Sequence, residues 1–297
     1  MTEAVRELIL ESAPERRREL EDLWETYSPI FERASDQKGF RMEGGPFGLI
    51  LFTMRAIGQI WILGFAAWRA FQAYCPYGLS YRGEITLLMA EDLDLVSAEE
   101  HLKAGLSKAR ELKNTENVQH FKWPAEIPVP GLDEPKTTEE RAVVDLIKIA
   151  TAFIFLHEVR HAVLARDRNG YQNAVDEEYE CDQYARSFLL ESVSEYCAGT
   201  VQDQKGVLGK RLMGLMLGSF VILEITPEDR RQGSAAHPPL AERFRRLIQT
   251  IDCTVKDYVW IYGCCLLLGI LRQEQKLPSQ SSSITPRQLF DKLVSLL

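Results

Sequence analysis

Apolar positions along this chain recur mostly at helical spacing. Residues 1–35 read as two charged, amphipathic helices, with Ser12 and Glu15 placed to form a capping box for the second. "SDQKGFRMEGGPFG" (35–48) reads as a loop, and 47–75 as a buried helix. The best strand signal is "LSYRGEITLLMAEDLDL" (79–95), two short strands meeting at Arg82 and Gly83. A helix over 97–113 follows, then a proline-rich loop over 121–136. Thr137 and Glu140 repeat the capping-box pattern and open a long apolar helix that runs to about Arg166. "DRNGYQN" ends it, and further helices are predicted over 175–198, 205–224, 240–251 and 257–273. After the linker "KLPSQSSSITP", Thr285 and Pro286 start a last helix. The predicted class is mostly α, in the α+β sense, with a small β element ahead of the long helix.

Composition narrows the function. A net charge of −8 and a pI near 5.3 leave no footprint for nucleic acid. The basic "PERRREL" (14–20) is flanked by acidic residues and reads as a solvated helix face. None of the six cysteines forms a C-x-x-C pair, and Cys264 and Cys265 lie in an apolar run, as buried thiols in a reducing compartment do. "MTEAVRELIL" lacks a signal-peptide layout, so the expected location is the cytoplasm. Three apolar runs raise the question of a membrane. The run 47–68 contains Arg55 and Gln59, 207–225 contains Lys210 and Arg211, and 259–271 is too short to span. All three are expected to be core helices. An enzyme anchored to a membrane by 47–72 is the alternative.

The long helix carries the chemistry. In "IFLHEVRHAVLA" (154–165), His157 and His161 stand four residues apart, so both project from one helix face and can hold one zinc ion. Glu158, about 100° around the helix, can reach a metal-bound water as a general base without being a ligand. Catalytic zinc takes a third protein ligand, and "DEEYECDQYA" (176–185) supplies candidates. Glu178 and Asp182 are again four apart. Glu178 is the expected ligand, and Asp182 the carboxylate that orients a ligand histidine. Glu177 competes for the ligand role, and Cys181 is a further, less suited candidate. His237 opens "HPPLAERFRRL", six residues before Arg243, and both could stabilise the oxyanion of a tetrahedral intermediate. His101 and His120 have no companions at ligand spacing and read as surface residues.

The order HEVRH, then Glu178-x-x-x-Asp182, then His237-Pro with Arg243, resembles the gluzincin metallopeptidases. Within them it is similar to the HtpX-type and CAAX-processing peptidases, although its gap between the second histidine and the glutamate is shorter. In size, and in residues 177–185, the chain resembles the Lit-like phage-exclusion peptidases. That resemblance implies a zincin-like peptidase domain over 46–275, preceded by a helical segment (1–45) and followed by a linker and C-terminal helix (276–297). It implies Zn2+ as cofactor and hydrolysis of a protein or peptide substrate, with elongation factor Tu as the substrate and a phage component as the activator. The expected substrate path runs along a strand edge over 84–92. A zinc-stabilised sensor that has lost catalysis is the competing reading. The intact Glu158 speaks against it, because a purely structural site needs no base beside an open position.

Overall fold

The computed structural model describes residues 1–78, 93–167, 173–248, 256–276 and 285–297. Two helices, α1 (Thr2–Ser12) and α2 (Arg17–Tyr27), lead into three short strands, β1 (Ile30–Arg33), β2 (Met42–Gly44) and β3 (Leu49–Phe52). The remainder is helical: α3 (Met54–Gly78), α4 (Leu93–Asn114), α5 (Thr138–Asp167), α6 (Ala174–Leu190), α7 (Val193–Ala198), α8 (Gln204–Ile225), α9 (Leu240–Ile248), α10 (Lys256–Gln273) and α11 (Pro286–Val294). The protein is mostly α with one small sheet, the α+β class that the sequence predicts.

The long helix α5 is the axis of the molecule. It packs against α1, α3, α6, α8 and the strands, and Ile149 through His157 are all buried. A helix enclosed on every side needs apolar residues all round it, which is why this stretch has no polar stripe. Its neighbours approach closely where they carry glycine. A Cβ added at Gly64 of α3 would lie 2.2 Å from Ile147, and one at Gly214 of α8 would lie 2.4 Å from Ile149. The capping box at the start of α5 is formed as predicted: the Glu140 N–H donates to Thr137 Oγ1 and the Thr137 N–H to Glu140 Oε2.

The sheet has the order β1-β3-β2, with β1 parallel and β2 antiparallel to β3. Phe31, Met42, Ile50 and Phe52 are buried, and Phe155 of α5 meets Phe31 and Phe52 edge-on, with ring centroids 5.3 Å apart in each pair. These strands are not where the sequence pattern points. β2 falls in the segment read as loop, and β3 at the start of the segment read as helix. "LILF" is a four-residue apolar run without alternation, and such a run does not tell strand from helix. The chain is broken before it by positive φ at Phe47 and Gly48, and after it by Thr53, whose Oγ1 accepts the Ala56 N–H at the start of α3. The predicted strands over 79–92 lie outside the described residues, and Leu93–Leu95 belong to α4.

Two further differences have local causes. Ser12 and Glu15 form no capping box. Ser12 donates back to the Leu8 carbonyl, and Glu15 reaches across to Arg211 of α8, where both side chains are 4% exposed. The helix predicted over 175–198 is broken after Leu190. Arg211 Nη1 donates to the Leu189 carbonyl at 2.8 Å, and Arg16 donates to Ser192 Oγ at 3.1 Å, so the exit of α6 is held by side chains.

The polar residues inside apolar runs have partners within the fold. Arg55 pairs with both carboxylate oxygens of Asp36 and donates to the carbonyls of Leu112 and Thr115 at the end of α4. Gln59 donates to the Gly39 carbonyl. Among the described residues one helix, α8, is long and apolar enough to cross a bilayer by length and composition, and 61% of its apolar window is buried inside the protein. Its packing on α5 and α10 accounts for that composition.

Candidate metal centre

The centre forms where α5 meets α6, with α9 and β2 closing two sides. Asn173 caps α6 by accepting the Val175 N–H, and the helix then turns Glu178, Cys181 and Asp182 into the interior. His157, His161 and Glu178 converge. One nitrogen from each ring and one carboxylate oxygen lie within 4.8 Å of one another. The two Nε2 atoms are 3.1 Å apart, Glu178 Oε2 is 3.6 Å from His157 Nε2, and Glu178 Oε1 is 3.4 Å from His161 Nε2.

The outer nitrogens are also engaged. Asp182 Oδ1 lies 2.9 Å from His157 Nδ1, and Glu177 Oε1 lies 2.8 Å from His161 Nδ1. Each carboxylate holds a proton on the Nδ1 it faces and turns the Nε2 towards the centre. Two Nε2 atoms at this separation, with a carboxylate beside them, need a proton or a metal cation between them. The sequence pattern identifies Asp182 as an orienting group but treats Glu177 only as a rival ligand. The structure makes it the second orienting carboxylate. Spacing alone could not assign this, because Glu177 and Glu178 are adjacent and only the helix rotation separates their roles.

The charges of the cluster are strongly coupled. Burial opposes ionisation of Glu178, yet its contacts with His161, His237, His157 and Arg243 hold it far below the usual carboxylate range. Burial also opposes the charged form of His161, but hydrogen bonds with Cys181, Glu178 and Glu177 raise it to about 11. Burial pushes the Cys181 thiol up to about 11, so it is a poor thiolate ligand.

Glu158 stands beside the centre. Its Oε2 accepts the Gly44 N–H of β2 at 2.6 Å, and burial raises its pKa against the opposing pull of His157, His161 and that hydrogen bond. A Cβ at Gly44 would lie 2.4 Å from the Glu158 carbonyl oxygen and 3.1 Å from His161 Cβ, so only glycine fits between strand and helix. Gly44 is a residue the sequence reading missed, and its one signal was a Gly-Gly pair inside a presumed loop.

His237 and Arg243 both reach Glu178, but from different situations. The side chain of His237 is 65% exposed, with Nδ1 3.1 Å from Glu178 Oε1. The Ser234 hydroxyl accepts its backbone N–H and so holds the loop in place. Arg243 is buried. Its Nε and Nη2 donate to the two oxygens of Asp182, each at 2.7 Å, and Nη1 lies 3.3 Å from Glu178 Oε2. All three nitrogens face protein carboxylates, so the oxyanion role expected for Arg243 does not match its position. His101 and His120 are exposed and far from the centre in the chain, as expected.

The Peptidase U49 family model matches residues 50–263, well over half of the 297-residue chain. The chain belongs to the Peptidase U49 family. No curated protein and no solved structure matches it. Family membership makes the chain a peptidase and bears out its resemblance to the Lit-like peptidases. The matched span includes every residue of the centre described above except Gly44: the HEVRH helix, α6, His237 and Arg243.

Proposed function

We propose that the chain is a zinc metallopeptidase of the gluzincin type that hydrolyses peptide bonds in a protein substrate. The observation that carries this reading is the convergence of His157 Nε2, His161 Nε2 and the Glu178 carboxylate on one point, with the Glu158 carboxylate alongside. Those three side chains would hold the ion, and Zn2+ bound there supplies a water of lowered pKa and a Lewis acid for the scissile carbonyl. Glu158 would take the proton of the attacking water and pass it to the leaving amine, from its position beside the three converging side chains. His237, on the exposed side, donates to the oxyanion. Arg243 acts through Glu178 and Asp182 by fixing the direction of both carboxylates.

The strand register supports a substrate path along β2. Glu43 pairs with Leu51, and the Gly45 N–H donates to the Leu49 carbonyl, so these positions of β2 bond inwards to β3. Met42 and Gly44 then present their backbone groups outwards, and the Gly44 N–H is the one that meets Glu158. An extended peptide would add to this outer edge of β2; the 84–92 edge expected from the sequence lies outside the described residues. The resemblance to Lit-like peptidases supports extending the proposal to phage exclusion in the cytoplasm, with elongation factor Tu as substrate and a phage component as activator.

The test is Glu158→Gln, which keeps size and shape but cannot act as a base. Bound zinc and thermal stability should match the parent, while proteolysis falls by ~10²–10⁴, as on loss of a general base. Proteolysis at the parent rate would exclude the mechanism.

A further inference from the structure

The first turns of α6 carry Glu177 and Glu178, and those turns have no apolar packing of their own. From Ala174 to Glu180 only Glu178 is buried, and it is polar. The first buried apolar side chain is Cys181, followed by Ala185, Phe188 and Leu189. The hydrophobic effect therefore holds the later turns of α6 and leaves the turns of the candidate ligand to polar contacts. Their rotation matters. One residue of slip turns a helix by about 100° and would exchange Glu177 with Glu178.

On one flank the contacts come from α9. Arg243 grips Asp182 and Glu178, and Arg246 lies over the Tyr179 ring at 3.5 Å. On the other flank they come from α5, and the residue is Arg160, the second variable position of HEVRH. Its Nε and Nη2 donate to Glu180 Oε1 at 3.1 and 2.6 Å, and its guanidinium lies 5.2 Å from the centre of the Tyr184 ring. Glu177, Glu180 and Tyr184 follow one another at intervals of three and four, so they form one stripe of α6. Arg160 thus holds the stripe that carries Glu177. The two helices run antiparallel here: His157, Arg160 and His161 meet Asp182, Glu180 and Glu177 in that order. The Arg160–Glu180 contact is the rung next to His161–Glu177. Its members are not ligands of the candidate centre.

We propose that Arg160 is a positioning residue of the metal centre: through Glu180 and Tyr184 it fixes the rotation of α6 that presents Glu178 to the ion and Glu177 to His161 Nδ1. The proposal rests on the reading of the centre as a zinc site. Overall stability is a poor explanation for the pair. Both side chains are partly exposed, and ion pairs in that setting contribute little to folding. Arginine suits the task, because a planar guanidinium bonds a carboxylate with its edge and stacks on a ring with its face. Lysine, a flexible point charge, would fix neither direction.

The experiment measures the zinc affinity of the full chain by competition with a chelator, for Arg160→Ala, Glu180→Ala and the double variant. Each single variant should bind zinc about tenfold more weakly, the lower end for loss of an outer contact. The double variant should be no weaker than either single one, because the pair acts as a unit. Cobalt in place of zinc reads the ligand set: the visible d–d band of Arg160→Ala should shift relative to the parent. Melting curves in EDTA should coincide for all four proteins to within about 2 °C, which separates positioning from stability. Zinc affinity within about twofold of the parent, a cobalt band identical to the parent's, or single losses that multiply in the double variant would each overturn the proposal. So would a fall in the EDTA melting temperature of either single variant beyond that margin. A parent chain that takes up neither zinc nor cobalt would reject the metal reading, and this proposal with it. Metal binding by the parent with unaltered variants would reject the proposal alone.

Discussion

At the scale of single residues, two adjacent glutamates make the sharpest contrast. Glu178 points between the two Nε2 atoms, while Glu177 holds His161 from outside, as Asp182 holds His157. In the proposed zinc site Glu178 is a ligand, so Glu178→Ala should weaken zinc binding by more than ~100-fold, the upper end for loss of an outer carboxylate. Glu177→Gln and Asp182→Asn should each weaken it by only ~10–100-fold. A zinc titration against a competing chelator ranks the three, and a larger loss for Glu177→Gln than for Glu178→Ala would reverse the assignment. The assignment is not visible in "DEEYECDQYA", because both glutamates lie within reach of the HEVRH face until the rotation of α6 is known.

At the scale of elements, the N-terminal segment is tied to the core by charge as well as by apolar contact. Glu15, between α1 and α2, meets Arg211 of α8 in a pair that is almost wholly buried. Breaking such a pair strands a charge in a poorly solvated place, which costs about 3–5 kcal/mol. Glu15→Gln should therefore lower the free energy of unfolding by about that amount, read from denaturant curves with an unchanged slope. A change under about 0.5 kcal/mol would place Glu15 in solvent and restore a capping role. The same pair explains a misleading signal: Ser12-x-x-Glu15 has the letters of a capping box, but a partner 196 positions further along the chain outcompetes the local backbone for the carboxylate.

At the scale of the whole molecule, the candidate metal centre joins parts that are far apart in sequence. His157 and His161 lie on α5 and Glu178 on α6, and Arg243 of α9 locks onto Glu178 and Asp182. Any ligand that binds only the folded chain stabilises it by mass action, by ~2.7 kcal/mol at a hundredfold excess over Kd. Zinc should accordingly raise the melting temperature, and EDTA should lower it in the parent chain but not in the His157→Ala/His161→Ala double variant. Equal melting curves for the parent with and without EDTA would argue against a metal bridge between α5 and α6.

The sequence by itself determined the elements whose signals are local. Helical periodicity and the capping residues at Thr137 and Thr285 place α5 and α11, and the four-residue spacing of His157 and His161 puts two imidazoles on one face. The order of HEVRH, Glu178, Asp182 and His237 also names the residues that meet. Only the tertiary structure decided how they meet. The strands of 30–52 are stabilised by burial against Phe155 and by pairing across the sheet, neither of which leaves a period in so short a run. Gly44 is constrained by a helix more than a hundred residues away, and Arg243 is turned to carboxylates by the packing of α9 on α6. Local propensity acts over a few residues and can be read along the chain, whereas close approach and charge pairing act through space and exist only once the chain has folded.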